Sequence, residues 1–100
     1  MEKIINKTVN IALQIVPRTK EKHIYEVIDK AIEVIEKSGI KHMVCPMETV
    51  MEGDYYEIME IINKAVEVVY PFSDAIFVSI KMQINTEEDV SMDEKIEKYL

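Results

Sequence analysis

Hydrophobic spacing along this chain switches from two residues to three-and-four and back again, and does so twice, which confines it to a layered design of strands and helices. Residues 9–16, VNIALQIV, set Val9, Ile11, Leu13 and Ile15 on one side and Asn10, Ala12, Gln14 and Val16 on the other. Period two over that length is a strand with one apolar and one mixed face. Pro17 has no N–H for a ladder and is expected to stop it, and Thr19 is placed to cap the helix that follows. In that helix, which runs to about Ser38, Ile24, Val27, Ile28, Ala31, Ile32 and Ile35 recur at helical spacing. Glu26 with Lys30 and Glu33 with Lys37 stand four apart on the wet side. Gly39 is placed to end the helix in a left-handed conformation.

The second half repeats the scheme. Residues 40–45 and 47–52 read as short strands hinged at Pro46, and Asp54 is the expected N-cap of a second helix whose stripe is Ile58, Ile61, Ile62, Ala65, Val66 and Val69. Pro71 lies just past its end. Residues 75–84 alternate again, Ile76, Val78, Ile80, Met82 and Ile84 against Ala75, Phe77, Ser79, Lys81 and Gln83. A polar run then leads to a short C-terminal helix begun by Ser91, with Glu94 in capping-box spacing. The order βαββαβ plus a tail helix predicts an α+β, ferredoxin-like sandwich, with a four-stranded antiparallel sheet carrying two helices on one face. One hundred residues make one domain, residues 1–100.

Such a sandwich leaves the second sheet face without cover from the two helices. That face carries Ala12, Val16 and Phe77 with the uncharged polar residues Asn10, Gln14 and Ser79, a mixture that suits an oligomer interface or a ligand face better than bulk water. Lys81 in the same row must reach the rim or meet a carboxylate. In the central hairpin, Thr49 and Met51 share one parity and Glu48, Val50 and Glu52 the other. Both sets contain polar residues, so the facing of this strand is undetermined. Met43, Met47 and Met51 cluster there, and thioethers adapt well to flat heterocycles.

Charge excludes several classes of partner. Acidic residues outnumber basic ones 19 to 12, for a net charge of −7, and the lysines are scattered, so nucleic acid is not an expected partner. The acidic balance favours cationic ligands through a weak, salt-screened attraction. A single cysteine, Cys45, fits a reducing compartment and places the chain in the cytoplasm. The first apolar stretch is broken by Asn6, Lys7, Asn10 and Gln14, so neither a signal peptide nor a membrane span is expected.

Chemistry-bearing patterns are sparse. His42 and Cys45, three apart on a strand, point to opposite faces and cannot share a metal ion. No nucleophile elbow, P-loop or dinucleotide fingerprint occurs. An enzyme is therefore not the expected class, and the open face leaves a ligand-binding domain and a structural or regulatory interaction module as the two readings, with a cofactor-free enzyme a distant third.

One motif adds more. Residues 45–53, Cys-Pro-Met-Glu-Thr-Val-Met-Glu-Gly, followed by a helix with Ile58-Met59, resemble the Gly-Pro-x-x-Thr-x-x-Glu-Gly signature of the YkoF-like thiamine-binding proteins. The strand end Val16-Pro17, residues 23–32 and residues 94–99 resemble that family too, so the likeness runs from about residue 9 to residue 99. Cys45 departs from the usual glycine. The resemblance implies a ferredoxin-like fold, a dimer or tetramer built through sheets, and binding of thiamine or its hydroxymethylpyrimidine part without catalysis or any further cofactor. Thr49 is carried over as the chief ligand contact, with Gln14 and Ile15 lining the pocket and Glu48 a weaker match. Chemically, Thr49 and Gln14 can each donate to and accept from an aminopyrimidine. Backbone groups near Ile15, together with Ser79, can do the same, Glu48 or Glu52 can balance the thiazolium cation, and Phe77 can offer a ring face.

Overall fold

The computed structural model describes residues 3–100. Its elements run β1 (Val9–Thr19), α1 (Ile24–Ser38), β2 (Lys41–Val44), β3 (Thr49–Gly53), α2 (Tyr55–Val69), β4 (Ser73–Gln83) and α3 (Met92–Ile96), with 3-10 turns at Tyr70–Phe72 and Glu97–Tyr99. The strands form one antiparallel sheet in the order β2-β3-β1-β4, the ferredoxin-like arrangement. β1 lies inside the sheet, and its alternation aims Val9, Ile11, Leu13 and Ile15 at the helices. There they are buried with Val27, Ala31 and Ile35 of α1 and Ile58, Ile61, Ile62 and Ala65 of α2. Burying each of the larger aliphatic side chains contributes about 1.5–3 kcal/mol.

The helix ends follow local chemistry. The Asp54 carboxylate accepts the Glu57 N–H at 3.0 Å, Ser91 Oγ accepts the Glu94 N–H at 3.3 Å, and Gly39 ends α1 at φ 78°. α1 begins later than its spacing predicts. Thr19 is still in β1, and the cap is His23, whose Nδ1 accepts the Tyr25 N–H at 3.2 Å. Glu33 pairs with Lys37, whereas the Lys30 ammonium lies 4.9 Å from the centre of the Phe72 ring.

Three features depart further from the sequence expectation. β1 does not stop at Pro17 but pairs with β4 as far as Thr19. The hairpin strands are shorter than predicted, because residues 45–48 are spent on the turn between Val44 and Thr49. Finally, the open face is covered at one end by the C-terminal segment. There the Val90 N–H donates to the Thr8 carbonyl at 3.0 Å, Val90 and Met92 are buried, and Asn10 is only 5% exposed.

Glu52 holds that segment in place. It accepts the Met92 N–H at 2.6 Å and the Asn10 amide at 3.1 Å, and pairs with Lys41 at 3.2 Å. Lys95 completes the group by donating to Asn10 Oδ1 at 2.8 Å, and Lys41 also reaches Asp93 at 2.6 Å. Burial pushes the Glu52 carboxyl up, but the Met92 N–H, the Asn10 amide and Lys41 together outweigh it and hold it below its ordinary value. Glu52 is thus fully occupied at this end of the sheet and does not stand beside Glu48.

β4 forms an edge of the sheet. The helices pack over β1 and β3, so its helix-side row, Val78, Ile80 and Met82, stays 38–41% exposed, and Phe77 on the other face is 62% exposed.

Candidate functional site

The mismatch between a long β1 and a short β3 creates the site. β3 starts at Thr49, opposite Leu13, while β1 continues to Thr19. The Cys45 N–H donates to the Glu48 carbonyl at 2.8 Å, so these two residues form a hydrogen-bonded pair in the hairpin. Successive residues of an antiparallel strand direct their backbone groups to opposite sides. Thr49 therefore bonds toward β1 at Leu13, and Leu13, Ile15 and Pro17 all direct their backbone groups toward β3. Beyond Leu13 there is no β3 strand to meet them. This explains how β1 tolerates Pro17, whose absent N–H falls on the unpaired side. It also leaves the Ile15 N–H and C=O facing a notch in the sheet.

A cavity of about 360 Å³ fills this notch. Its walls are Leu13 to Val16 of β1, the turn at 45–48 with Thr49, and the side of α1 that carries Tyr25, Ile28, Asp29 and Ile32. α1 supplies that wall because its apolar stripe is broader than the sheet can bury: Val27, Ala31 and Ile35 go into the core, while Ile28 and Ile32 are left half-buried. Thr49 stands out chemically. It and Asn10 are the buried polar residues of the core, at 6% and 5% exposure. Asn10 is bonded on both sides, whereas Thr49 has no side-chain hydrogen bond among the described residues, and since none of their buried side-chain oxygens is left unsatisfied, its hydroxyl is open to the cavity that Thr49 lines.

The register also settles which way the hairpin faces. Thr49 and Met51 pair with Leu13 and Ile11 and so face the helices, whereas Val50 and Glu52 face the open side. Met51 is core, while Met43 and Met47 are exposed, so the three methionines do not form one surface. Cys45 needs no left-handed conformation, since no residue but glycine has a positive φ among those described.

Of the residues singled out from sequence, Thr49, Ile15, Gln14 and Glu48 come together around this cavity. Ser79, paired with Gln14 across the sheet, lines a neighbouring shallow depression on the open face with Lys81 and Glu48. Glu48 and Lys81 meet there at 3.2 Å, which gives Lys81 the carboxylate its position demands. Phe77 lines neither depression. It pairs with Val16 on the edge strand and points from the open face. The residues that sequence reading missed are Tyr25 and Asp29, and the signal for them was the excess width of the α1 stripe.

Fold and cavity together define a ferredoxin-like domain whose recess, with the adjoining and more open depression of about 580 Å³, is in the size range that encloses small organic ligands. The sequence model described as thiamine-binding protein matches residues 11–100. A UPF0045 protein of Clostridium perfringens is 41% identical over 92% of this chain and 97% of its own length. Among solved structures, a domain of unknown function from Bacillus cereus superposes with a TM-score of 0.92 at 31% identity, covering 99% of this chain and 96% of that one. A Thermotoga maritima protein, described as a candidate thiamine biosynthesis/salvage protein, gives 0.84 at 28% identity, covering 93% and 99%. The chain belongs to the thiamine-binding protein family.

Proposed function

We propose that the chain binds thiamine, or its hydroxymethylpyrimidine part, in the notch beside Thr49, and that it serves as a cytoplasmic carrier, buffer or sensor rather than as an enzyme. The observation that carries this reading is Thr49, a residue only 6% exposed whose hydroxyl has no hydrogen bond to another described residue and is open to the cavity rather than sealed in the core, set beside strand groups of Ile15 that have none opposite among the described residues. Buried polar groups are nearly always bonded, and one left open at a cavity fits a ligand that completes it. An aminopyrimidine presents donors and acceptors on one flat edge, which matches a hydroxyl and a backbone N–H and C=O, while the Gln14 amide lies across the notch on the open face beside Ser79. The apolar side of α1 suits its ring faces.

The same reading includes a homo-oligomer, dimer or tetramer. β4 is an 11-residue edge strand with apolar residues exposed on both faces, a surface that proteins rarely leave free. A stable interface of this kind buries at least about 1,000 Å². That same strand also supports the second reading, an interaction module with no ligand. Calorimetric titration separates them: saturable binding of thiamine and of the pyrimidine alcohol by a homogeneous oligomer supports the first, and an oligomer that binds neither supports the second.

A further inference from the structure

We propose that the cavity is built for a cationic, unphosphorylated heterocycle and rejects its phosphate esters, an inference that rests on the binding reading above. The cavity is graded in chemistry from floor to rim. Thr49, 6% exposed, and the Ile15 backbone give a neutral, hydrogen-bonding floor. Asp29 of α1 stands exposed at the mouth, and Glu48, also in the cavity lining, directs its carboxylate to the open face, where it pairs with Lys81 at 3.2 Å. No Lys, Arg or His is found among the described residues that line it. Phosphate sites need the opposite, namely cationic side chains or an array of free backbone N–H groups.

Lys81 is the cation that meets Glu48, but it stands in the neighbouring depression and is already engaged at 3.2 Å. Drawing it onto a phosphate would break that pair and leave Glu48 beside the new negative charge. The Asp29 carboxylate facing a phosphate repels it, whereas facing a thiazolium it attracts it, and the Glu48 pair keeps Lys81 from offsetting either effect. Asp29 acts directly and Glu48 by holding Lys81, so both are specificity-determining residues and the discrimination is electrostatic.

The test is calorimetric titration of the intact protein, in magnesium-free buffer, with the neutral pyrimidine alcohol, with thiamine and with thiamine diphosphate. Thiamine should bind at least about tenfold more tightly than its diphosphate, and the gap should shrink in high salt. Asp29→Asn should weaken thiamine, leave the pyrimidine alcohol unchanged and narrow the gap. Glu48→Gln, which also releases Lys81, should narrow it further. If the pyrimidine alcohol and thiamine bind and the diphosphate binds as tightly, the electrostatic inference is overturned while the binding reading stands. If none of the three binds, both are overturned.

Discussion

Replacing Thr49 by valine tests the core of the functional reading, because the structure predicts opposite signs for binding and folding. Valine keeps the branched shape and the strand preference of threonine and removes only the hydroxyl. In the ligand complex this leaves a buried polar edge of the pyrimidine unpaired, at a cost of about 1–3 kcal/mol, or roughly a five- to 150-fold loss of affinity. In the ligand-free protein the balance reverses. The hydroxyl has no partner among the described residues and is open to the cavity, so removing it sacrifices no hydrogen bond within the protein and puts a methyl in a largely apolar recess. Stability should stay level or rise by up to about 1 kcal/mol. Thiamine titration and urea unfolding of the same preparation provide both readings. A Thr49→Val protein with unchanged thiamine affinity would remove Thr49 from the site. One destabilised by 1 kcal/mol or more would show that its hydroxyl is bonded within the fold.

The remaining tests concern the frame of the site. Asp54→Ala, which removes the cap of α2, should cost about 1 kcal/mol and lower the melting temperature with no change in ligand affinity. Gly39→Ala should cost about 1–2 kcal/mol in urea unfolding through backbone strain alone, since φ is 78° there and no atom lies within 4 Å of the added carbon. Glu52 has a carboxyl held below its ordinary 4.5, so the unfolded chain binds that proton first as pH falls. Its contribution is therefore complete above about pH 4.5 and drains as pH drops through the folded value, and urea midpoints across pH should show a flatter acid limb in Glu52→Gln. If the chain assembles through β4 as proposed, Ile80→Lys on that exposed edge strand should leave it monomeric by light scattering at micromolar concentration, and a mass equal to that of an oligomeric parent protein would exclude β4 from the interface.

Much of the fold could be read before the coordinates because local chemistry determines it. The shift from period two to helical spacing located every long element, and Gly39, Asp54 and Ser91 marked their ends by side-chain or backbone rules that act within a few residues. The failures share a different cause. Pro17 reads as a strand terminator, yet whether a missing N–H matters depends on which neighbour lies beside it, and that depends on where β3 begins. Glu52 reads as a possible ligand contact because its real partners, the Met92 N–H and Lys41, come from distant parts of the chain. The covering of Asn10 by residues after Val90 was invisible for the same reason. Thr49 could be singled out from its motif, but its facing required its pairing with Leu13 across the sheet. Tyr25 and Asp29 became site residues only once the width of α1 was set against the width of the sheet.

Because the notch exists only where β3 falls short of β1, its size is governed by where the turn is placed. Lengthening both arms of the hairpin by two residues would carry the ladder past Leu13 to Ile15, occupy the backbone groups that now face the cavity, and fill the recess with sheet. Every core contact of β1 with the helices would survive such an insertion. Within this architecture, hairpin length reshapes or abolishes the recess without substituting any core residue, even though Leu13, Ile15, Ala31 and Ile35 serve both core and recess.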